Sequence, residues 1–354
     1  MTYFTAAVLE EQQRPLVLRQ LEIPEYLSVG QVLVRVMSSG ICGAQLNEIA
    51  GTKGPDKYLP HTLGHEGHGI VVATGPGVKH VKPRDSVVIH WRKGVGIESE
   101  PPKYWCPELR EYIGGGWNTT FQEYSVVSEN RLTKIPDDVP SEIAALFGCA
   151  VTTGLGIVAN EAQVKMGQSV VVFGCGGVGL SVLQGCLLAS AYPVIGVDIS
   201  ETKLKQALVM GATHVILNDT PDGFNKIRHI LPEGADFVID TTGSPRVMEA
   251  AFDIAARDGK VIFVAQLHHQ CRVSLQTLPM QMGRTVLGSD GGGTCPSTDI
   301  PRYVRLLKAG RLNLQQLITH RYPLCHINKA LDIVRTGACN RCIIYASDDK
   351  ILTR

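Results

Sequence analysis

The stretch SVVVFGCGGVGLSVLQGCLLASAYPVIGVD, residues 169–198, decides the fold. It opens on a β-branched run (170–173), passes through Gly174-Cys175-Gly176-Gly177-Val178-Gly179, and continues as an apolar helical pattern. A second β run (193–197) ends on Asp198. Strand, glycine-rich turn, helix, strand and an acid about 20 residues on is the layout of a dinucleotide-binding βαβ unit. Gly174 permits the tight turn, Gly176 lets backbone approach a pyrophosphate, and Gly179 lets helix and strand pack closely. Gly177 and Val178 begin the helix, whose unpaired N–H groups would hold the anion. A buried βα turn that binds nothing is the alternative for the motif taken alone.

From about residue 151 onward, β runs at 170–174, 194–198, 214–217, 237–241, 260–265 and 285–289 alternate with helical patterns, which signals a parallel sheet. Residues 1–150 read as β-rich instead. Runs at 31–37, 69–73, 86–90 and 123–127 are broken by turns such as Thr74-Gly75-Pro76-Gly77 and Lys82-Pro83-Arg84-Asp85. Short helices are expected over 41–50 and from Ser141, with Ser141 as N-cap. After Gly291-Gly292-Gly293 come helices at 300–308 and 328–336 and a closing strand at 342–346. The expected division is therefore 1–150, a nucleotide domain over 151–289, and a return to the first domain over 290–354.

With 354 residues the chain can build two cores of ordinary size. Apolar residues make up 44%, charged residues 19%, and the net charge is +1, which excludes disorder and argues against nucleic acid or an anionic membrane as partner. The N-terminal residues lack the pattern of a signal peptide. Ten cysteines, several inside apolar runs, read as reduced thiols, so a cytoplasmic location is expected.

Three residues of the β-rich part could hold a metal: Cys42 in Gly40-Ile41-Cys42-Gly43, His65 in Gly64-His65-Glu66-Gly67, and Cys149 in Gly148-Cys149-Ala150. Two thiolates and an imidazole, with a fourth position for water or substrate, are the donor set of a catalytic zinc. They lie 23 and 84 positions apart, so local spacing does not reveal a site. Each taken singly also reads as a buried thiol or a turn histidine.

These motifs, with Ala150-Val151-Thr152-Thr153-Gly154, the Phe173-to-Gly179 turn and Val197-Asp198-Ile199-Ser200, occur in one order along essentially the whole chain. In that respect the sequence resembles the zinc-dependent alcohol dehydrogenases of the medium-chain dehydrogenase/reductase family. The resemblance implies an α/β protein with a GroES-like β-rich catalytic domain and a Rossmann doubly wound parallel sheet. It implies that Cys42, His65 and Cys149 bind one catalytic zinc, approached by Glu66. It further implies that Thr153 and Val178 face the nicotinamide, that Asp198, with Lys203 beside it, takes the adenosine ribose, and that Arg341 reaches the pyrophosphate. A carboxylate at 198 would repel a 2′-phosphate, which favours NAD. Zinc as a Lewis acid on an alcohol oxygen, with hydride passing to the nicotinamide, is the implied chemistry.

Two departures stand out. Relatives often carry Ser or Thr, then Asp, then His as a proton relay where this chain has Ala44, Gln45 and Asn47. An amide is a poor acid or base near neutral pH. Many relatives also hold a structural zinc with four cysteines in the loop 91–117, which here contains only Cys106, so no structural zinc is expected. Ala44 and Trp91 fall where relatives line the substrate pocket. Basic residues nearby (His90, Arg92, Lys93) would either bias it toward a polar or anionic substrate or simply be solvated loop residues, the commoner case, whereas His61 and His68 read as structural. The expectation is an NAD-linked, zinc-dependent oxidoreductase of a small alcohol or carbonyl, such as a polyol or sugar derivative, assembled as a homodimer or homotetramer. The alternatives are a zinc-independent quinone or enoyl reductase of the same fold, or a cofactor-binding protein without turnover.

Overall fold

A computed structural model describes residues 2–218 and 223–346. The chain divides into two compact units, one of Met1–Cys149 with Cys295–Arg354 and one of Ala150–Thr294.

In the second unit six strands form a sheet in the spatial order His214–Leu217, Val194–Asp198, Val170–Phe173, Ala235–Asp240, Ala255–Phe263, Thr285–Gly288, every neighbouring pair parallel. In chain order this is 3-2-1-4-5-6, the doubly wound arrangement, whose strand order reverses beside Val170–Phe173. The run VVVF is fully buried, as a central strand covered on both faces must be. Val171, Phe173, Ile195, Val197 and Val238 pack with Phe252 and Ile254 of the helix Pro245–Ile254 in one core.

The first unit holds two sheets. A five-stranded sheet runs Val17–Glu22, Tyr3–Leu9, His61–Thr62, Glu111–Gly114, Lys103–Cys106. The other is organised on the long strand Gln31–Ile41, which pairs antiparallel with Gly67–Thr74, Tyr124–Ser128 and Arg341–Tyr345. Two pairings matter for the site: Ser39 opposite Gly67, and Ile41 opposite Cys342. The first sets Cys42 beside the His65–Glu66 turn, and the second brings Arg341 to the same place. The strand Arg341–Tyr345 returns from the C-terminal end of the chain and is buried along most of its length.

Two local expectations need correction. The helix Ser141–Leu146 is N-capped by Pro140, not Ser141. The Ser141 hydroxyl is engaged with Ser38 Oγ at 2.8 Å and His68 Nδ1 at 2.8 Å. Inside the loop 91–117, which reads as irregular from sequence, Lys103–Cys106 and Glu111–Gly114 form a hairpin with Trp105 packed edge-on against Tyr112. Cys106 is buried there in a core with Phe4, Tyr104 and Ile113. Among the described residues no helix is long and apolar enough to cross a membrane.

Candidate active site

Cys42 follows the long strand Gln31–Ile41 and caps the helix Gly43–Ala50 with extended backbone. The turn carrying His65 and Glu66 is tied to that strand by backbone: Gly40 N–H donates to Glu66 O at 3.1 Å and Ser39 Oγ–H to the same oxygen at 3.0 Å. Gly64 has φ +94, and a Cβ there would lie 2.4 Å from Thr120 Oγ1, so the sharp approach to His65 requires glycine. Cys149 follows Gly148, where a Cβ would meet Ile89 O at 2.4 Å and Glu66 Cα at 2.7 Å. The absent side chain at 148 is what lets the Cys149 segment reach the turn.

These constraints gather Cys42, His65 and Cys149 so that one ligand atom from each lies within 4.8 Å of the others. The two sulfurs are 4.0 Å apart, close to the separation of about 3.8 Å expected for two thiolates at 2.3 Å from one tetrahedral zinc. His65 Nε2 is buried without a hydrogen-bond partner. The hydrogen bond from the Cys149 thiol holds Cys42 well below the usual thiol range, against desolvation and with help from His65 and the Arg341 charge. A buried orphan nitrogen beside a thiolate-prone pair fits a soft divalent cation.

Glu66 is buried behind these residues and forms an ion pair with the equally buried Arg341 guanidinium. Room for the pair comes from Gly40, where a Cβ would lie 2.6 Å from Glu66 Oε1 and 3.0 Å from Arg341 Nη2. Burial lowers the Arg341 pKa from its ordinary value, and the negative charge developing on Cys42 opposes that shift. Arg341 therefore sits beside the ligand cluster within the first unit.

Sequence reasoning overlooked Gln45 as a partner of the histidine. Its Oε1 accepts from Cys42 N–H at 3.0 Å, and its Nε2 lies 2.5 Å from His65 Nδ1. The available signal was a glutamine three residues after a helix cap, the pattern of a capping box. A cavity of about 670 Å³ opens beside Gln45 and His65, with Tyr58, Tyr112 and Trp117 exposed in its wall and Glu48, Glu100 and Asn118 among its polar groups. Ala44 and Trp91 are not part of that wall. The backbone N–H of Trp91 reaches Gly148 O at 3.4 Å, and its ring lies 5.7 Å from the Arg92 guanidinium.

The expected basic bias is corrected in two of three residues. His90 is buried and pushed down to about 4 by desolvation, so it is neutral. Lys93 is neutralised by Glu98 at 2.5 Å. His68 is held between Ser86 and Ser141. His61, with Asp56 and Glu48, forms a second cluster of ligand type. Both His61 nitrogens are engaged there, by Thr62 O at 2.9 Å and by Asp56 Oδ2 at 2.8 Å.

In the second unit Gly174 adopts φ +87 directly after Val170–Phe173. A Cβ on Gly179 would lie 1.8 Å from Gly174 O, whereas one on Gly176 would meet nothing within 4 Å. The turn is closed against its own helix and open above Gly176, the space a pyrophosphate needs at the start of the helix Gly177–Leu188. Asp198 accepts from Cys175 N–H at 2.8 Å and Ser200 N–H at 3.0 Å, which fixes its carboxylate at the strand end. Lys203 is near enough to act on the Cys175 thiol along with Asp198. Thr153 is buried in the helix Ala150–Gly156, and at the next residue a Cβ on Gly154 would lie 2.8 Å from Val178 O. The segments of Thr153 and Val178 are thus in direct contact.

Known proteins similar to this chain are dehydrogenases. Residues 28–137 match the alcohol dehydrogenase GroES-like domain and residues 177–309 the zinc-binding dehydrogenase family. The chain is 32% identical to alcohol dehydrogenase class-3 of Cereibacter sphaeroides, over 96% of this chain and 98% of the relative. It is 31% identical to S-(hydroxymethyl)glutathione dehydrogenase of Paracoccus denitrificans, with the same coverage of 96% and 98%. Among solved structures, benzyl alcohol dehydrogenase of Acinetobacter calcoaceticus superposes with TM-score 0.87 at 29% identity, covering 98% of this chain and 100% of that one.

Proposed function

We propose a role for each part of this site on the premise that the chain belongs to the zinc-dependent alcohol dehydrogenases of the medium-chain dehydrogenase/reductase family. It is an NAD- and zinc-dependent oxidoreductase that moves hydride between the cofactor and an alcohol or carbonyl substrate. Cys42, His65 and Cys149 hold the catalytic zinc. The observation that carries this assignment is the convergence of their three ligand atoms around a buried His65 Nε2 that has no other partner. When bound there, the metal supplies Lewis-acid polarisation of the substrate oxygen.

The chain's own residues do the rest. Glu66, fixed by Arg341, sets a negative charge behind the ligands. Gly174, Gly176, Gly177 and Gly179 cradle the pyrophosphate. Asp198 and Lys203 hold the adenosine ribose, and Thr153 and Val178 press on the nicotinamide. Ala44, Gln45 and Asn47 supply no acid or base for a side-chain relay, so the substrate proton leaves through water, assisted by Glu66 or by a group of the substrate.

The substrate is polar, a polyol or sugar derivative. The cavity beside His65 combines exposed rings of Tyr58, Tyr112 and Trp117 with carboxylates and an amide, which suits a molecule with apolar C–H faces and many hydroxyls. Residues 1–150 with 290–354 form the catalytic domain and 151–289 the nucleotide domain. The protein carries no structural zinc and works in the cytoplasm as a homodimer or homotetramer.

Elemental analysis of the purified protein, joined to a screen of polyols, sugars and simple alcohols with NAD, tests this reading. One zinc per chain and NADH formation with a polyhydroxylated substrate are expected. Turnover without zinc would move the protein to the metal-free reductases of the same fold, and zinc without turnover on any of these substrates would reject the assigned activity.

A further inference from the structure

With Ala44, Gln45 and Asn47 at the positions of a side-chain relay, the water that takes the substrate proton needs another group to receive it. The wall of the cavity beside His65 also contains His61 and Glu48. Both belong to the cluster Glu48, Asp56 and His61, where one ligand-type atom of each lies within 4.8 Å of the others. His61 Nδ1 is 2.9 Å from Thr62 O, and a carbonyl oxygen only accepts, so Nδ1 carries a hydrogen. Nε2 is 2.8 Å from Asp56 Oδ2. In the neutral ring the Nε2 lone pair thus faces a carboxylate, and this contact becomes a charge-assisted hydrogen bond only when a proton enters it. The carboxylate is held in place: Asp56 Oδ1 accepts from Tyr58 N–H at 2.9 Å, and Asp56 N–H donates to Gln12 Oε1 at 3.1 Å. Burial would raise the Asp56 pKa, but the His61 and Tyr58 hydrogen bonds hold it below its ordinary value. The His61 and Asp56 side chains are only 10% and 11% exposed, with His61 in the cavity wall and Asp56 outside it. The neighbouring strands place Leu9 and Gly114 opposite His61. Among the described residues Asp56 and Glu48 are therefore the charged groups facing the ring, with Lys103 across Gly114 and Glu100, Tyr58 and Tyr112 elsewhere in the wall. The contact between Nε2 and Oδ2 is a seat for one proton at the edge of the cavity.

We propose that the Glu48–Asp56–His61 cluster receives the proton of the substrate alcohol, by way of water in the cavity, in place of the absent relay. The proposal rests on the dehydrogenase reading above. In alcohol oxidation the substrate O–H bond breaks and its electron pair stays with carbon and oxygen as the carbonyl forms, while the C–H hydrogen leaves with its electron pair to NAD. The proton crosses cavity water to His61 Nε2, where an N–H bond forms and the ring becomes an imidazolium beside Asp56. One proton is taken up for each hydride moved. Glu48, half-buried on the helix Gly43–Ala50 and part of the cavity wall, exchanges that proton with solvent and empties the seat. In carbonyl reduction the same proton travels back.

Two measurements on zinc-loaded full-length protein test this. Nitrogen-15 NMR of histidine-labelled protein, with His61→Gln to assign the signals, follows the ring nitrogens as pH is varied. Nδ1 should keep its hydrogen throughout while Nε2 gains and loses one. A ring that holds one protonation state wherever the protein stays folded would overturn the proposal. Stopped flow with NAD and sorbitol then reads the first turnover of NADH formation, before product release can limit it. His61→Ala should slow that turnover by about 100-fold, the lower range for loss of a positioned acid or base, with zinc content and NAD affinity unchanged. Its rate should climb with the concentration of triethanolamine, a base too bulky for a metal site that can take the proton from cavity water, while the wild-type rate stays flat. Glu48→Gln, which leaves the His61–Asp56 pair intact, should show the same buffer dependence in milder form. A loss in His61→Ala that buffer does not relieve would make the pair purely structural, and variants that match a working wild type would overturn this proposal alone. A wild type inactive with every alcohol of the screen above would reject the dehydrogenase reading itself, whatever the ring titration shows.

Discussion

The side-chain amide of Gln45 is shared between Cys42 and His65: Oε1 takes the Cys42 N–H at 3.0 Å while Nε2 meets His65 Nδ1 at 2.5 Å. An amide nitrogen only donates, so in this arrangement Nδ1 is an acceptor and the neutral ring carries its hydrogen on Nε2. That is the nitrogen assigned to the metal. Ligation through Nε2 needs the hydrogen on Nδ1, and the amide can then accept it only by turning away from Cys42 N–H. A carboxylate would accept from both donors at once.

Gln45→Glu is therefore expected to bind zinc more tightly, on the order of 10-fold, the lower range for changes in groups that orient a metal-bound histidine. Competition with a chelator of known affinity measures it, with NAD affinity as the control. Equal or weaker zinc binding would show that the Gln45 amide does not limit the histidine.

Gly176 and Gly179 stand three residues apart and predict opposite outcomes. A Cβ at 179 would lie 1.8 Å from Gly174 O, and backbone cannot yield that far without opening the turn. Gly179→Ala should lower the melting temperature sharply. At 176 a Cβ meets nothing in the protein, so Gly176→Ala should melt like the wild type yet bind NAD more weakly, because its methyl fills the space of the pyrophosphate. Calorimetry and NAD titration together separate the two. Normal NAD affinity in Gly176→Ala would place the pyrophosphate elsewhere.

Ala44 carries no hydroxyl where relatives begin a proton relay. Ala44→Ser restores one, and the pH dependence of kcat should change if proton release limits turnover. An identical pH profile would count against a relay defect in this chain.

The parallel sheet was legible because its strands are short β-branched runs buried on both faces, and Val194–Asp198 and His214–Leu217 have the bounds expected from sequence. The hairpin Lys103–Cys106 with Glu111–Gly114 was not, since four-residue strands amid prolines and glycines hold together through a Trp105–Tyr112 contact that no local pattern announces. The same limit applies to the site. Cys42, His65 and Cys149 drew attention only through the family motifs around them, because it is strand register, Ser39 against Gly67, that brings the first two together. Gln45 looked like a failed relay residue, and its contact with His65 depends on a turn 20 residues away. Arg341 was expected at the pyrophosphate. Its buried pairing with Glu66 follows from the return of the C-terminal strand to Ile41, a contact across 300 residues.

Glu142 gives that returning segment a pH-dependent anchor. Its carboxylate is buried on the helix Ser141–Leu146 and accepts from Arg321 Nε at 2.7 Å, Arg321 Nη2 at 3.2 Å, Tyr345 Oη at 2.9 Å and Gln315 Nε2 at 3.2 Å. Burial alone would raise its pKa, but these donors, Arg321 first, overcome it and hold the group at about 2. A folded-state value below the ordinary carboxylate range means that folding favours the charged form. The stabilisation is then complete above about pH 4.3, the ordinary glutamate value, and is lost as pH falls toward the folded value. Glu142→Gln should lower stability at pH 7 by about 2 kcal/mol, as expected for losing hydrogen bonds to a charged group. In urea unfolding with chelator present throughout, so that metal loss does not enter, the gap between wild type and variant should be equal at about pH 7 and 5.5 and narrower at about pH 3.5, below the ordinary glutamate value. A gap that stays constant into acid would mean that the carboxylate charge contributes nothing to this anchor.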